Sequence, residues 1–162
     1  MATTRTPLDP RIIVGATVVL EGIGLGRVTA VDERHVDVAM DDGSRRGVFG
    51  SFDRLRLPIA AELAPAAIDR LQQSPPSPMS GEERLARIGE FTRTEPKTWA
   101  LCVDELVRLY GTPPPLSFSE RGLVSRLERA VVGELAFATQ CPLQDLVQRV
   151  RPAALAAQLG DV

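Results

Sequence analysis

The chain has 162 residues, 44% of them apolar and 25% charged, ordinary globular proportions that exclude disorder throughout. Its 19 cations stand against 21 acids, a formal net charge of −2, which excludes nucleic-acid binding by bulk positive charge. Two cysteines without a CxxC pair, one histidine and no run of 18 apolar residues argue against a cysteine-ligated metal, a disulfide scaffold and a membrane helix.

Met1 to Pro10 carries no apolar core of a signal peptide, so a cytoplasmic chain with reduced thiols is expected. Short β-branched, alternating runs then predict strands at residues 12–14, 17–20, 27–31, 36–40 and 47–49. Gly22, Gly24 and Gly26 read as a tight turn between strands. Asp42-Gly43 predicts a type I′ hairpin, in which both central residues take positive φ. Five short strands in residues 11–58 are expected to curl into a small barrel, since an open sheet would leave long edges.

Beyond residue 58 the period changes. A short helix over 65–73 carries Ile68 and Leu71 on one face. The run Ser74-Pro75-Pro76-Ser77-Pro78-Met79 reads as a semi-rigid linker, so residues 59–79 form a connection and 80–150 a helical domain. Ser80 with Glu83 forms a capping box for a helix that turns Leu85, Ile88 and Phe91 inward. Thr94-Glu95-Pro96 is expected to start the next helix, whose buried face is Trp99, Cys102, Val103, Leu106 and Leu109, with Gly111 as its end. Ser117 with Glu120 makes a second capping box, before Leu123, Leu127, Val131 and Leu135 at four-residue spacing. A final helix over 142–150 precedes an alanine-rich tail, 151–162. The fold class expected is therefore α+β, a small N-terminal β-barrel followed by an all-helical domain.

Candidate chemistry is sparse. The glycine run fails as a dinucleotide fingerprint, because its third glycine comes one residue early and a strand follows where a helix must receive the pyrophosphate. His35 has no second histidine with which to share a metal. Cys102 lies on an apolar helix face, where cysteine is an inert small hydrophobe, and Cys141 has no activating neighbour. No catalytic residue, metal or cofactor is expected, and a binding role takes precedence over an enzyme with a small-molecule substrate. Between residues 80 and 139, 8 cations face 9 acids, the composition of a solvated helix surface. A phosphate-contacting patch there requires Arg84, Arg87 and Arg121 to converge.

Three blocks resemble one family in order: Val14-Gly15-Ala16-Thr17-Val18-Val19 with Gly24-Leu25-Gly26-Arg27-Val28; Leu55-Arg56-Leu57-Pro58-Ile59; and Leu116-Ser117-Phe118-Ser119-Glu120-Arg121 with Gly133-Glu134-Leu135-Ala136. The chain over residues 11–140 resembles the bacterial CarD/CdnL proteins, whose barrel module also occurs in the transcription-repair coupling factor. That resemblance implies a Tudor-like barrel pairing an edge strand with the RNA polymerase β subunit. It also implies a helical domain that wedges a tryptophan into promoter DNA. On this chain the resemblance implies a polymerase-contacting arginine at Arg34; with Arg45, Arg46, Val48 and Phe49 around the last hairpin it makes the expected polymerase site, and Arg84, Arg87 and Arg121 are the candidate DNA contacts. The wedge position falls near Ser80, beside Glu82 and Glu83 where the family is basic. Trp99 belongs instead to an apolar helix face. Polymerase docking with weak or lost DNA contact is the expected function; the alternative is a protein-interaction module of the same fold that leaves DNA alone.

Overall fold

The computed structural model describes residues 5–93 and 98–160. Five strands build one antiparallel sheet: β1 (Thr17–Leu20), β2 (Gly24–Val31), β3 (His35–Met40), β4 (Arg45–Phe49) and β5 (Leu55–Arg56). Side-chain alternation sends Val18, Leu20, Val28, Val36, Val38 and Met40 into one apolar cluster with Ile12, Phe52 and Leu55. The sheet curls over that cluster as a half-barrel. Its order is β4-β3-β2-β1-β5, so the small barrel expected is present as a curled half-barrel with β4 and β5 as its edges.

Local departures have local causes. Residues 12–14 are a turn rather than a strand: the Ile12 amide donates to the Asp9 carbonyl at 2.9 Å and the Ala16 amide to Ile13 at 2.9 Å. Only Ile12 reaches the core, while Ile13 and Val14 are exposed. The glycine run is mostly strand, because Gly24 pairs with Leu20 and Gly26 with Val18. A Cβ at Gly26 would run into Val38 Cγ1. The β3–β4 turn is not type I′. Gly43 alone takes positive φ there, at 86°, and Met40 N donates to the Ser44 carbonyl at 2.8 Å across a three-residue loop.

The helices are α1 (Ala64–Gln72), α2 (Gly81–Arg93), α3 (Trp99–Tyr110), α4 (Phe118–Leu127), α5 (Gly133–Thr139), α6 (Leu143–Val150) and α7 (Ala153–Ala156), with a 3-10 turn, Ala61–Leu63, before α1. Both capping boxes form. Ser80 N donates to Glu83 Oε2 at 2.7 Å and Glu83 N to Ser80 Oγ at 3.3 Å; Ser117 and Glu120 do the same for α4. In α2, Ile88 and Phe91 are buried but Leu85 is 69% exposed. Three-residue steps fall about 60° short of a full turn, and Leu85 rotates off the face that the other two hold.

Helix α4 runs without a break through a π-helical turn, Glu128–Val132, into α5. Four-residue steps overshoot a turn by about 40° each, and the wider π-turn takes up the drift, leaving Leu123, Leu127, Val131 and Leu135 all buried. The expected helix start at Thr94-Glu95-Pro96 lies outside the described residues. Thr98 caps α3 by accepting from Leu101 N, so Trp99 occupies the first helical position and is half-buried rather than mid-helix in the core. Gly111 ends α3 with φ −82°, not in the left-handed form of a glycine cap. Glycine is needed there because a Cβ would collide with the Pro75 carbonyl oxygen.

Helix α1 shares one apolar core with the helices beyond the proline-rich run, through Ala64, Ile68 and Leu71. The alanine-rich tail docks on the same core: Leu155 is buried, and Leu116 N donates to Gln158 Oε1 at 2.8 Å. Among the described residues no helix is long and apolar enough to cross a membrane.

Candidate interaction surface

Strand β4 pairs with β3 on one side, Phe49 opposite His35 and Gly47 opposite Asp37. Among the described residues its other edge has no partner strand. On the outer face the Phe49 ring stacks on His35 with centroids 4.3 Å apart and 13° between planes. His35 Nε2 lies 2.6 Å from Asp37 Oδ1, which anchors the imidazole under the phenyl ring. Gly47 leaves the room, since a Cβ there would meet the Phe49 ring at 2.7 Å. Phe49 stays 71% exposed. A large apolar side chain is thus braced beside an unpaired strand edge, which is the arrangement that receives an added strand.

The five residues expected on this surface divide. Arg34 is exposed on the β2–β3 turn, its amide donating to Asp32 Oδ1 at 2.8 Å. Its carbonyl accepts from Gly50 N at 3.0 Å, which holds it beside the end of β4. Arg45 and Phe49 share the outer face. Val48 does not: it is half-buried against the sheet core. Arg46, on the same side as Val48 by alternation, lines a cleft shared with α2 and α4. The sequence treated every β4 side chain as available, but a strand with one face on a core offers only alternate residues.

The arginines of the helical half are not a phosphate patch. Arg84 grips Glu120 through two bonds, Nη2 to Oε1 at 2.7 Å and Nε to Oε2 at 3.0 Å. Arg87 Nε donates to Glu105 Oε2 at 3.0 Å. Arg121 alone of the three is exposed. Each of the first two turns toward a different buried carboxylate, so the convergence required of them is absent.

Those carboxylates are the feature that sequence reading missed. Glu105, Glu120, Glu128 and Glu134 are 0–2% exposed. Glu105 also takes Arg108 at 2.5 Å. Glu128 accepts from Arg151 Nη2 at 2.7 Å and from the Tyr110 hydroxyl at 2.7 Å. Burial, and then the charge of Glu128, push the Tyr110 hydroxyl far up, so it remains a donor. Glu134 joins the halves of the molecule: Arg56 of β5 donates to both its oxygens, at 2.6 and 2.7 Å, and Ile59 N adds a third bond at 2.7 Å. Arg56 also pairs with Glu21, and its guanidinium carbon lies 5.9 Å from the centre of the Trp99 ring. A glutamate on an apolar stripe, four residues from a buried apolar side chain, was the available signal: Glu128 precedes Val132 and Glu134 follows Ala130, both buried.

Among the described residues no group of three or more His, Cys, Asp or Glu is placed to hold a metal ion. Cys102 is buried, and Cys141, half-buried, lies with its sulfur 3.5 Å from the Pro142 carbonyl. Compared with protein-family models and with curated proteins, the chain matches none.

Proposed function

We propose that this chain is a cytoplasmic, CarD-like transcription regulator with a Tudor-like N-terminal module that docks on the RNA polymerase β subunit by adding a strand to the free edge of β4. The observation that carries the reading is the braced, exposed Phe49 beside that edge. Backbone groups of β4 supply the hydrogen bonds, while Phe49, Arg34 and Arg45 select the partner. The ordered resemblance over residues 11–140 supports the choice of polymerase as that partner. Promoter DNA is contacted weakly or not at all, because Arg84 and Arg87 are held by Glu120 and Glu105, and the chain as a whole, at net −2, has no surplus of cations to release counterions.

The test is binding of the full chain to core RNA polymerase, measured by biolayer interferometry. Phe49→Ala and Arg34→Glu are each expected to weaken capture at least about tenfold, as truncation of central anchors does. Thermal melting reports that the variants stay folded. Wild-type affinity in both folded variants would sink the β4 site, and no capture of polymerase by the wild type would sink the partner. A parallel anisotropy titration with promoter fork DNA is expected to give dissociation constants no tighter than about micromolar at physiological salt.

A further inference from the structure

A cleft of about 450 Å³ lies where the sheet meets the helices. Gly22 and Ile23 of the β1–β2 turn form one wall with Asp42 and Arg46 of the β3–β4 hairpin. The opposite wall is α2, α4 and the π-turn, including Leu123, Leu127, Arg126 and Arg129. Arg46, Arg126 and Arg129 thus reach one concavity from two different parts of the fold. None of them has a carboxylate within salt-bridge distance among the described residues, in contrast to Arg56, Arg84, Arg87, Arg108 and Arg151. Arg126 and Arg129 stand three apart on one helix, where like charges repel.

The nearest acid does not neutralise the group. Asp42 accepts from both the Ser44 amide, at 2.8 Å, and its hydroxyl, at 2.5 Å. These bonds hold its carboxyl below the usual range, and the charges of Arg46 and Arg129 lower it further. Arg46 and Arg129 thus both act on this one carboxylate, and three arginines against one aspartate leave the lining net positive. Behind the arginines the floor is apolar, with Ile23, Leu123 and Leu127. The size is that of a small-ligand pocket, roughly 300–1,000 Å³.

We propose that this cleft binds a phosphorylated small molecule, with its phosphate oxygens on Arg46, Arg126 and Arg129 and its less polar part against Ile23, Leu123 and Leu127. Guanidinium groups converging from several directions suit the oxygens of one phosphate or diphosphate. A duplex backbone instead presents a line of phosphates to a broad surface. The molecule is proposed as a bound ligand, with no reaction assigned to it. Bound there, it would brace the sheet against α4.

Isothermal titration calorimetry of the full chain with ADP, pyrophosphate and adenosine tests this. ADP and pyrophosphate are expected to bind, ADP the more tightly, and adenosine not to bind. Arg126→Ala and Arg129→Ala should each weaken ADP at least about tenfold, the loss of a hydrogen bond to a charged group. Arg121→Ala, outside the cleft, should leave affinity unchanged. Absence of heat with both ADP and pyrophosphate, or binding that survives the Arg126→Ala/Arg129→Ala double variant, would overturn the proposal. So would single-stranded DNA that depends on these arginines while ADP does not bind. Equal affinity for ADP and pyrophosphate would contradict the role of the apolar floor.

Discussion

In the sheet, the buried cluster from Ile12 to Leu55 is wholly apolar. The helical half instead buries four glutamates at 0–2% exposure, each against at least one arginine. The helical core thus adds buried ion pairs to apolar packing of the kind that holds the sheet. Apolar packing loses stability gradually as volume is removed, whereas a buried ion pair becomes strongly unfavourable when one partner disappears and the other charge stays inside. The contrast also separates the surfaces. Arginines committed to buried glutamates are unavailable to ligands, and recognition falls to the β4 edge with Arg45 and Phe49 and to the arginines that no glutamate holds.

Breaking the ion-pair side of that contrast should have one of the largest effects. Glu134→Ala removes the acceptor of the Ile59 amide and two of those of Arg56, leaving Arg56 with Glu21 and the Leu57 carbonyl, and is expected to cost about 3 kcal/mol in urea unfolding. A well-packed Glu134→Leu variant restores volume but not the acceptor and should cost about as much; a much smaller loss would show that volume, not the broken ion pair, sets it. On the apolar side, Leu20→Ala in the sheet core is expected to cost about 2–4 kcal/mol, read by the same melts.

Trp99→Ala should be milder, about 2 kcal/mol, because the indole is half-buried and its contacts are with the core edge and Arg56. A loss as large as that of a fully buried tryptophan would place Trp99 deeper than its position at the start of α3 allows. The smallest structural effect expected is that of Ser80→Ala, about 1 kcal/mol, from the loss of one capping acceptor on exposed α2.

Acid titration sharpens the comparison. Burial pushes the Glu120 carboxyl up, but the Arg84 bonds, followed by those from Ser117, outweigh it and hold the carboxyl below its ordinary 4.5. A depressed folded value means that this contribution is present above about pH 4.5 and is lost as pH falls through the folded value. The urea midpoint should drop over that interval, and Arg84→Ala should flatten the drop. An unchanged slope in Arg84→Ala would remove Arg84 as its cause.

Much of the architecture could be read from the chain because its signals are local. Ser80/Glu83 and Ser117/Glu120 announce two helix starts within four residues, and the alternation of Val36 and Val38 with Asp37 fixes a strand face. What escaped depends on distant partners. Nothing near Glu134 in sequence indicates Arg56, 78 positions away, and nothing in Arg84 or Arg87 shows that its charge is already engaged. The barrel is a curled half-barrel, and its strand ends differ from the expected ones for the same reason. Residues 12–14 have β-branched side chains, yet the chain turns there to bury only Ile12, and the two-residue β5 is too short for alternation to reveal. Along β4, the sequence located the edge but not which side chains face outward. That required the registry with β3, which puts Phe49 against His35 and turns Val48 into the core.

The central claim is that β4 takes on an added strand from the polymerase β subunit. Hydrogen–deuterium exchange of the full chain, with and without core RNA polymerase, tests it at the backbone. The account predicts that a peptide spanning residues 45–49 slows its exchange in the complex, while one spanning α6 does not change. Saturating polymerase that leaves residues 45–49 exchanging as in the free chain would contradict it.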